Sequence, residues 1–108
     1  MRLQAIAASL LLAACSLSAN DSPGPERQHV LLELLHQDCG SCHGLTLNGG
    51  LGPSLSSKAL AGKPEDFLVT TIIDGRPGTA MPPWKPFMTK QEAKWLVDYL
   101  RGQTRLQQ

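Results

Sequence analysis

At 108 residues the chain is expected to form one domain. A formal net charge of +1 gives no support for nucleic-acid binding, and the few aromatics, Phe67, Trp84, Phe87, Trp95 and Tyr99, all fall in the C-terminal part. A chain this small buries a limited core and commonly needs a disulfide, a metal or a cofactor to complete it.

The first segment, MRLQAIAASLLLAAC, has one basic residue (Arg2) followed by an apolar run of small residues and leucines. That pattern is an export signal, too short to span a bilayer as a helix. Residues 1–15 are read as a signal peptide. Leu12-Ala13-Ala14-Cys15 resembles the bacterial lipobox, in which the cysteine becomes a lipidated N-terminus. The competing cleavage, near residues 18–19, yields a free soluble protein. Either way the domain is expected to work in the periplasm, soluble or held at the membrane face only by an acyl anchor on Cys15. Residues 16–25, ending in NDSPGP, read as a flexible tether, and residues 26–105 as the folded domain.

Pro25 suits a helix start, with Glu26 in the first turn near the positive end of the dipole. Val30, Leu31, Leu34 and Leu35 then repeat at helical spacing, predicting an apolar face that runs into Cys39. Residues 44–57 contain Asn48-Gly49-Gly50 and Gly52-Pro53 and predict a loop, followed by a short helix at 57–61. Pro64, Glu65 and Asp66 mark another helix start and Gly75 its stop, with Phe67, Leu68, Thr71 and Ile72 as the apolar face. Prolines at 77, 82, 83 and 86 make residues 75–88 a stiff, irregular loop. Thr89 and Glu92 form a capping box for a last helix whose apolar face is Trp95, Leu96, Tyr99 and Leu100. No segment alternates as a strand. The fold class read from this pattern is all-α: three main helices joined by irregular loops.

Cys39, Cys42 and His43 stand as C-x-x-C-H. A structural zinc needs four ligands, usually as two close pairs, and the chain has no second cysteine pair. A thioredoxin-like thiol pair follows a strand, whereas the segment before Cys39 is helical. A plain disulfide leaves the histidine unexplained. In an exported chain the motif reads as covalent attachment of one c-type haem. The two thiols add across the two vinyl groups on one edge of the porphyrin, and the next residue projects its imidazole towards the iron. A second axial ligand must come from Met81 or Met88, since the remaining methionine is the initiator. A thioether favours ferrous iron and raises the potential relative to a second histidine. Met81 is favoured, because it lies in the glycine- and proline-rich loop where backbone can approach closely and be held rigidly. Met88 sits directly before a helix cap.

CGSCH, then LGPSL, then TAMPPW, between an N-terminal and an aromatic C-terminal helix, resembles class I monohaem cytochromes c over about residues 26–102. The resemblance implies a cytochrome c-like fold in which the first and last helices cross beside the haem, with Leu34 or Leu35 meeting Trp95 or Tyr99. It implies that the Pro53 carbonyl accepts a hydrogen bond from His43 and that Leu55 packs on the haem face. A bond of that kind fixes the ring and raises its basicity. DCGSCHGLTLNGGLGP and DGRPGTAMPPW further resemble the small NirC-type cytochromes, encoded with haem-cd nitrite reductase in denitrifying bacteria. That resemblance implies electron donation to the reductase, or a part in completing its d-type haem.

Trp84 and Arg76 flank the Met81 loop. They are read either as hydrogen-bond donors to haem propionates or as loop packing and a solvated charge. His29 and His36 read as helix-surface residues rather than ligands. Residues 75–108 hold Arg76, Lys85, Lys90, Lys94, Arg101 and Arg105 against Glu92 and Asp98, a basic excess that is either a solvated face or a docking patch for an acidic partner. With both axial positions filled and no acid–base pair evident, the reading is an electron carrier for periplasmic redox proteins, not an enzyme. A gas-binding or peroxidatic haem protein remains as an alternative only if Met81 does not hold the iron.

Overall fold

The structure, a computed structural model, describes residues 22–102 and Ala14. The signal peptide, Cys15 and the alternative cleavage near residues 18–19 therefore lie outside the described residues, Ala14 excepted.

Helix α1 spans Pro25–Leu34, with proline in its first turn and Glu26 near the dipole's positive end. Gln28 is buried and donates to the Pro23 carbonyl at 2.8 Å, tying the end of the tether to the helix. The helix then widens into a π-helical turn, Leu35–Cys39, closed by the Gly40 N–H on the Leu35 carbonyl. It resumes as the short α2, Gly40–His43. π turns of this sort are rare and cluster at functional sites; here it leads directly into the cysteine motif. Helix α3, Ser57–Leu60, is capped by the Ser56 hydroxyl, which accepts from the Ala59 N–H at 3.1 Å. Helix α4 spans Glu65–Asp74 after Pro64 and stops at Gly75, whose φ of +65° is open to glycine at little cost. Helix α5, Lys90–Leu100, starts at a complete capping box between Thr89 and Glu92. No strand occurs among the described residues. The all-α fold is as the sequence implied.

The core is small. Leu31 and Leu35 from α1 and the π turn meet Ile73, Met88, Ala93, Trp95 and Leu96, with Leu34, Ile72, Tyr99 and Leu100 packed around them. Helix α5 is thus covered by both α4 and α1. Trp95 and Tyr99 stack along α5 with centroids 5.8 Å apart.

Two faces differ from the expectation. Val30 is 44% exposed and Phe67 51% exposed, although both fall on the predicted apolar stripes. Leu31 of α1 and Leu35 of the π turn are buried and Leu32 and Leu34 pack beside them, which leaves Val30 outside the core. Phe67 lies in the first turn of α4, whose packed side carries Ile73, Val69 and Ile72 instead.

One charged side chain ties α1 to α5. The Arg27 guanidinium donates to the Glu92 carboxylate and, at 2.7 Å, to the Phe87 carbonyl. The hydrogen bond from Arg27, helped by the Thr89 N–H, holds the Glu92 carboxyl below its usual range against a smaller opposing effect of burial. Arg27 therefore braces the capping residue of α5 from the neighbouring helix.

Candidate haem site

The cysteine motif sits where α2 ends. Cys39 and Cys42 are both free thiols and half-buried. Burial, reinforced by the charge of Asp38, raises the Cys39 thiol to about 11, so it is neutral in the haem-free chain. His43 ends α2, and its Nδ1 lies 2.7 Å from the Pro53 carbonyl oxygen. A carbonyl only accepts, so Nδ1 carries the proton and Nε2 is left with the free lone pair.

The loop that brings Pro53 there is folded tightly on the motif. Gly49 donates to the His43 carbonyl at 2.8 Å, Gly52 to the Cys42 carbonyl at 2.7 Å, and Leu55 to the Leu47 carbonyl at 2.8 Å. A Cβ on Gly52 would stand 2.8 Å from His43 Cε1 and Nδ1, too close for any side chain. Sequence alone marks Gly52 as a chain breaker; its contact with the imidazole is visible only once the loop is folded. The Gly-Pro pairing beside the histidine motif was the available signal.

Two chambers open on this motif. One, of about 190 Å³, is lined by Cys39, Cys42, His43, Pro53, Arg76, Met81 and Trp84 among others. The other, of about 80 Å³, is almost wholly apolar and is lined by Leu35, Leu55, Leu60, Leu68, Ile72 and Leu100 together with Met81, Met88 and Trp84. Cys39, His43, Met81 and Trp84 border both. The chambers are therefore two sides of one cleft, with the thiols and imidazole on one wall and the Met81 loop on another. Met88 differs from Met81: it is 6% exposed and packed into the helical core.

The cleft suits a haem. Its apolar side matches a hydrophobic macrocycle and its thiol pair matches the two vinyl groups. Trp84 Nε1 is buried without an acceptor, as is Trp95 Nε1 in the core, and of the two only Trp84 lines the cleft. Arg76 is exposed at the same mouth. An indole donor and a guanidinium beside an apolar slot suit the carboxylate edge of the ring. Neither His29 nor His36 lines the cleft; His29 pairs with Glu33 along α1 at 3.4 Å.

A helical fold built around such a cleft, with C-x-x-C-H on its wall, defines a c-type cytochrome. The chain belongs to the cytochrome family described as cytochrome c oxidase, cbb3-type, subunit III, which matches residues 30–100. Within it, the chain is similar to cytochrome c55X of Stutzerimonas stutzeri, 54% identical over 99 residues covering 92% of this chain and 86% of the relative. Its fold is similar to the solved c-type cytochrome NirC, with a TM-score of 0.73 and 55% identity over 74% of this chain and 94% of that one. It is also similar to part of the dihydro-heme d1 dehydrogenase NirN, solved in complex with DHE, with a TM-score of 0.59 and 33% identity. There the match covers 65% of this chain but only 15% of that one. The chain is a NirC-like class I monohaem cytochrome c, an electron carrier whose cofactor is c-type haem.

Proposed function

We propose that this cytochrome carries single electrons in the periplasm to haem-cd nitrite reductase, with Cys39 and Cys42 as the residues that would bind its haem covalently and His43 and Met81 as those that would hold its iron. The observation that carries the reading is the pairing across one cleft: His43 with Nδ1 engaged by Pro53, and Met81 on the facing loop. Such a haem supplies one-electron chemistry at iron that stays coordinatively closed. The chain's residues keep that chemistry simple. The Pro53 carbonyl fixes the imidazole tautomer, which raises its basicity and prevents ring rotation. The leucines of the apolar chamber exclude water, and Trp84 and Arg76 offer donors to the propionates. Leu55, on the wall of the apolar chamber, would pack on the ring face. His43 and Met81, if kept as ligands in both redox states, would leave little nuclear rearrangement to oppose transfer.

The leader sequence supports residence outside the cytoplasm, either anchored by an acyl group on Cys15 or free after cleavage near residues 18–19. No helix among the described residues is long and apolar enough to cross a membrane.

The direct test is to mix the reduced protein with nitrite reductase and follow its oxidation after adding nitrite. Nitrite-dependent oxidation at a rate rising with reductase concentration is expected. No oxidation, with a second donor oxidised normally in the same preparation, contradicts the assignment of this partner.

The similarity to part of a dihydro-heme d1 dehydrogenase supports a second reading, in which the same electron chemistry serves maturation of the reductase's d-type haem. Mature reductase with a full complement of d-type haem in a deletion strain counts against that reading and leaves the carrier reading intact.

A further inference from the structure

We propose that Gly75, at the end of α4, is a positioning residue that sets where the Met81 sulfur stands. The inference rests on Met81 as the axial ligand.

The Met81 loop is fastened to α4 at both ends. After Gly75, the Arg76 N–H donates to the Met81 carbonyl at 3.1 Å. The Thr79 hydroxyl donates to the Arg76 carbonyl at 2.7 Å and accepts from the Met81 N–H at 3.3 Å. Beyond Met81, the Trp84 N–H caps the Ile72 carbonyl at 2.9 Å and the Lys85 N–H the Ile73 carbonyl at 3.2 Å. Those two carbonyls belong to the last turn of α4 and would otherwise lack partners. Loop and helix end thus form one hydrogen-bonded body, and α4 is itself packed on α5.

Gly75 is the closest point of that body. A Cβ there would lie 2.6 Å from the Pro82 carbonyl carbon, 2.7 Å from the Met81 oxygen and 2.7 Å from the Pro83 nitrogen. All three are backbone atoms of Met81 and the two prolines that follow it, whose φ is fixed. No side chain can swing away to relieve the contact. Any residue larger than glycine must push the 81–83 backbone off α4 and carry the thioether with it. Glycine at 75 is therefore required by the approach of two main chains as well as by its φ of +65°.

Gly78 provides an internal control. It has φ +77° in the same loop, yet a Cβ there meets nothing within 4 Å. Gly78→Ala also puts a side chain at a positive φ, without displacing Met81.

The test uses the holoprotein and reads imidazole affinity for the ferric form together with the weak sulfur-to-iron charge-transfer band. An outside ligand binds only where methionine has left, so its apparent affinity scales with that population. Gly75→Ala is expected to raise imidazole affinity by about tenfold or more and weaken the band, with Gly78→Ala within about twofold of the parent. Covalent haem content, measured as the pyridine haemochrome, should match the parent in both. Equal affinity and band strength in Gly75→Ala and the parent overturn the proposal, as does an equal rise in Gly78→Ala. Should Gly75→Ala fail to fold, Thr79→Val decides. It removes both hydroxyl hydrogen bonds at constant shape and is expected to raise imidazole affinity several-fold; an unchanged value overturns the proposal. If Met81→Ala alone keeps the band, the ligand assignment falls, whereas loss of the band in Met81→Ala with a parent-like Gly75→Ala removes this inference alone.

Discussion

The imidazole of His43 has contacts on two sides that together leave it one orientation. Pro53 accepts from Nδ1, and Gly52 presses its main chain against the ring edge. A methyl group on residue 52 cannot fit while that hydrogen bond is kept. Gly52→Ala is therefore expected to tilt the ring and weaken the Pro53 contact. A less basic ligand stabilises ferric iron less, so the midpoint potential should rise. A lost hydrogen bond of about 0.5–1.5 kcal/mol sets a ceiling of roughly 60 mV on that rise, at about 59 mV per tenfold for one electron. Redox titration checks the direction, and a potential equal to the parent's contradicts the steric role given to Gly52. At this scale the sequence was informative about chemistry but silent about closeness. C-x-x-C-H points to its cofactor once export and the lack of a second cysteine pair have set aside thiol exchange and zinc. The pressure of Gly52 on His43 arises from a loop closing over ten residues, which no local pattern encodes.

Among the elements, α5 is held most firmly. Its capping box is internal to the sequence, whereas its brace, Arg27, comes from α1. Glu92 accepts from both, and the Arg27 hydrogen bond is the main reason its carboxyl is held below the usual range. A carboxylate depressed in the folded state adds stability above its unfolded pKa and loses that contribution as pH falls through the folded value. Glu92→Gln should thus melt lower at neutral pH and differ less from the parent in acid, where the parent's own carboxylate is protonated. Since Arg27 is 40% exposed, the loss is expected to be about 1 kcal/mol rather than that of a buried ion pair. Thermal melts across an acid-to-neutral series check it, and a constant difference across the series contradicts it. Helix positions were legible here because their ends are chemical: Pro25, Pro64, Gly75, Thr89 and Glu92 each mark a terminus. Exposure was less so. Val30 and Phe67 obey helical periodicity yet face outward, since periodicity describes one helix and burial depends on which neighbours arrive. The π turn at Leu35–Cys39 has no sequence signature.

For the whole molecule, the cofactor is part of the core. The apolar chamber is walled by leucines from the π turn, α3, α4 and α5 and from the 44–57 loop. Leaving even the smaller chamber of about 80 Å³ empty costs about 2 kcal/mol by cavity scaling, a large part of the stability of a chain this size. A Cys39→Ala, Cys42→Ala chain without haem is expected to keep helical far-UV dichroism and lose fixed tryptophan signals and cooperative melting. A sharp, parent-like melt without haem contradicts a core completed by the cofactor.

Closure of the haem iron by His43 and Met81 can be read from the ferric charge-transfer band of purified Met81→Ala and Met88→Ala holoproteins. The band is expected to disappear in Met81→Ala, with rapid carbon monoxide binding to its ferrous form, and to persist in Met88→Ala. A band that survives in Met81→Ala, or vanishes only in Met88→Ala, contradicts that closure.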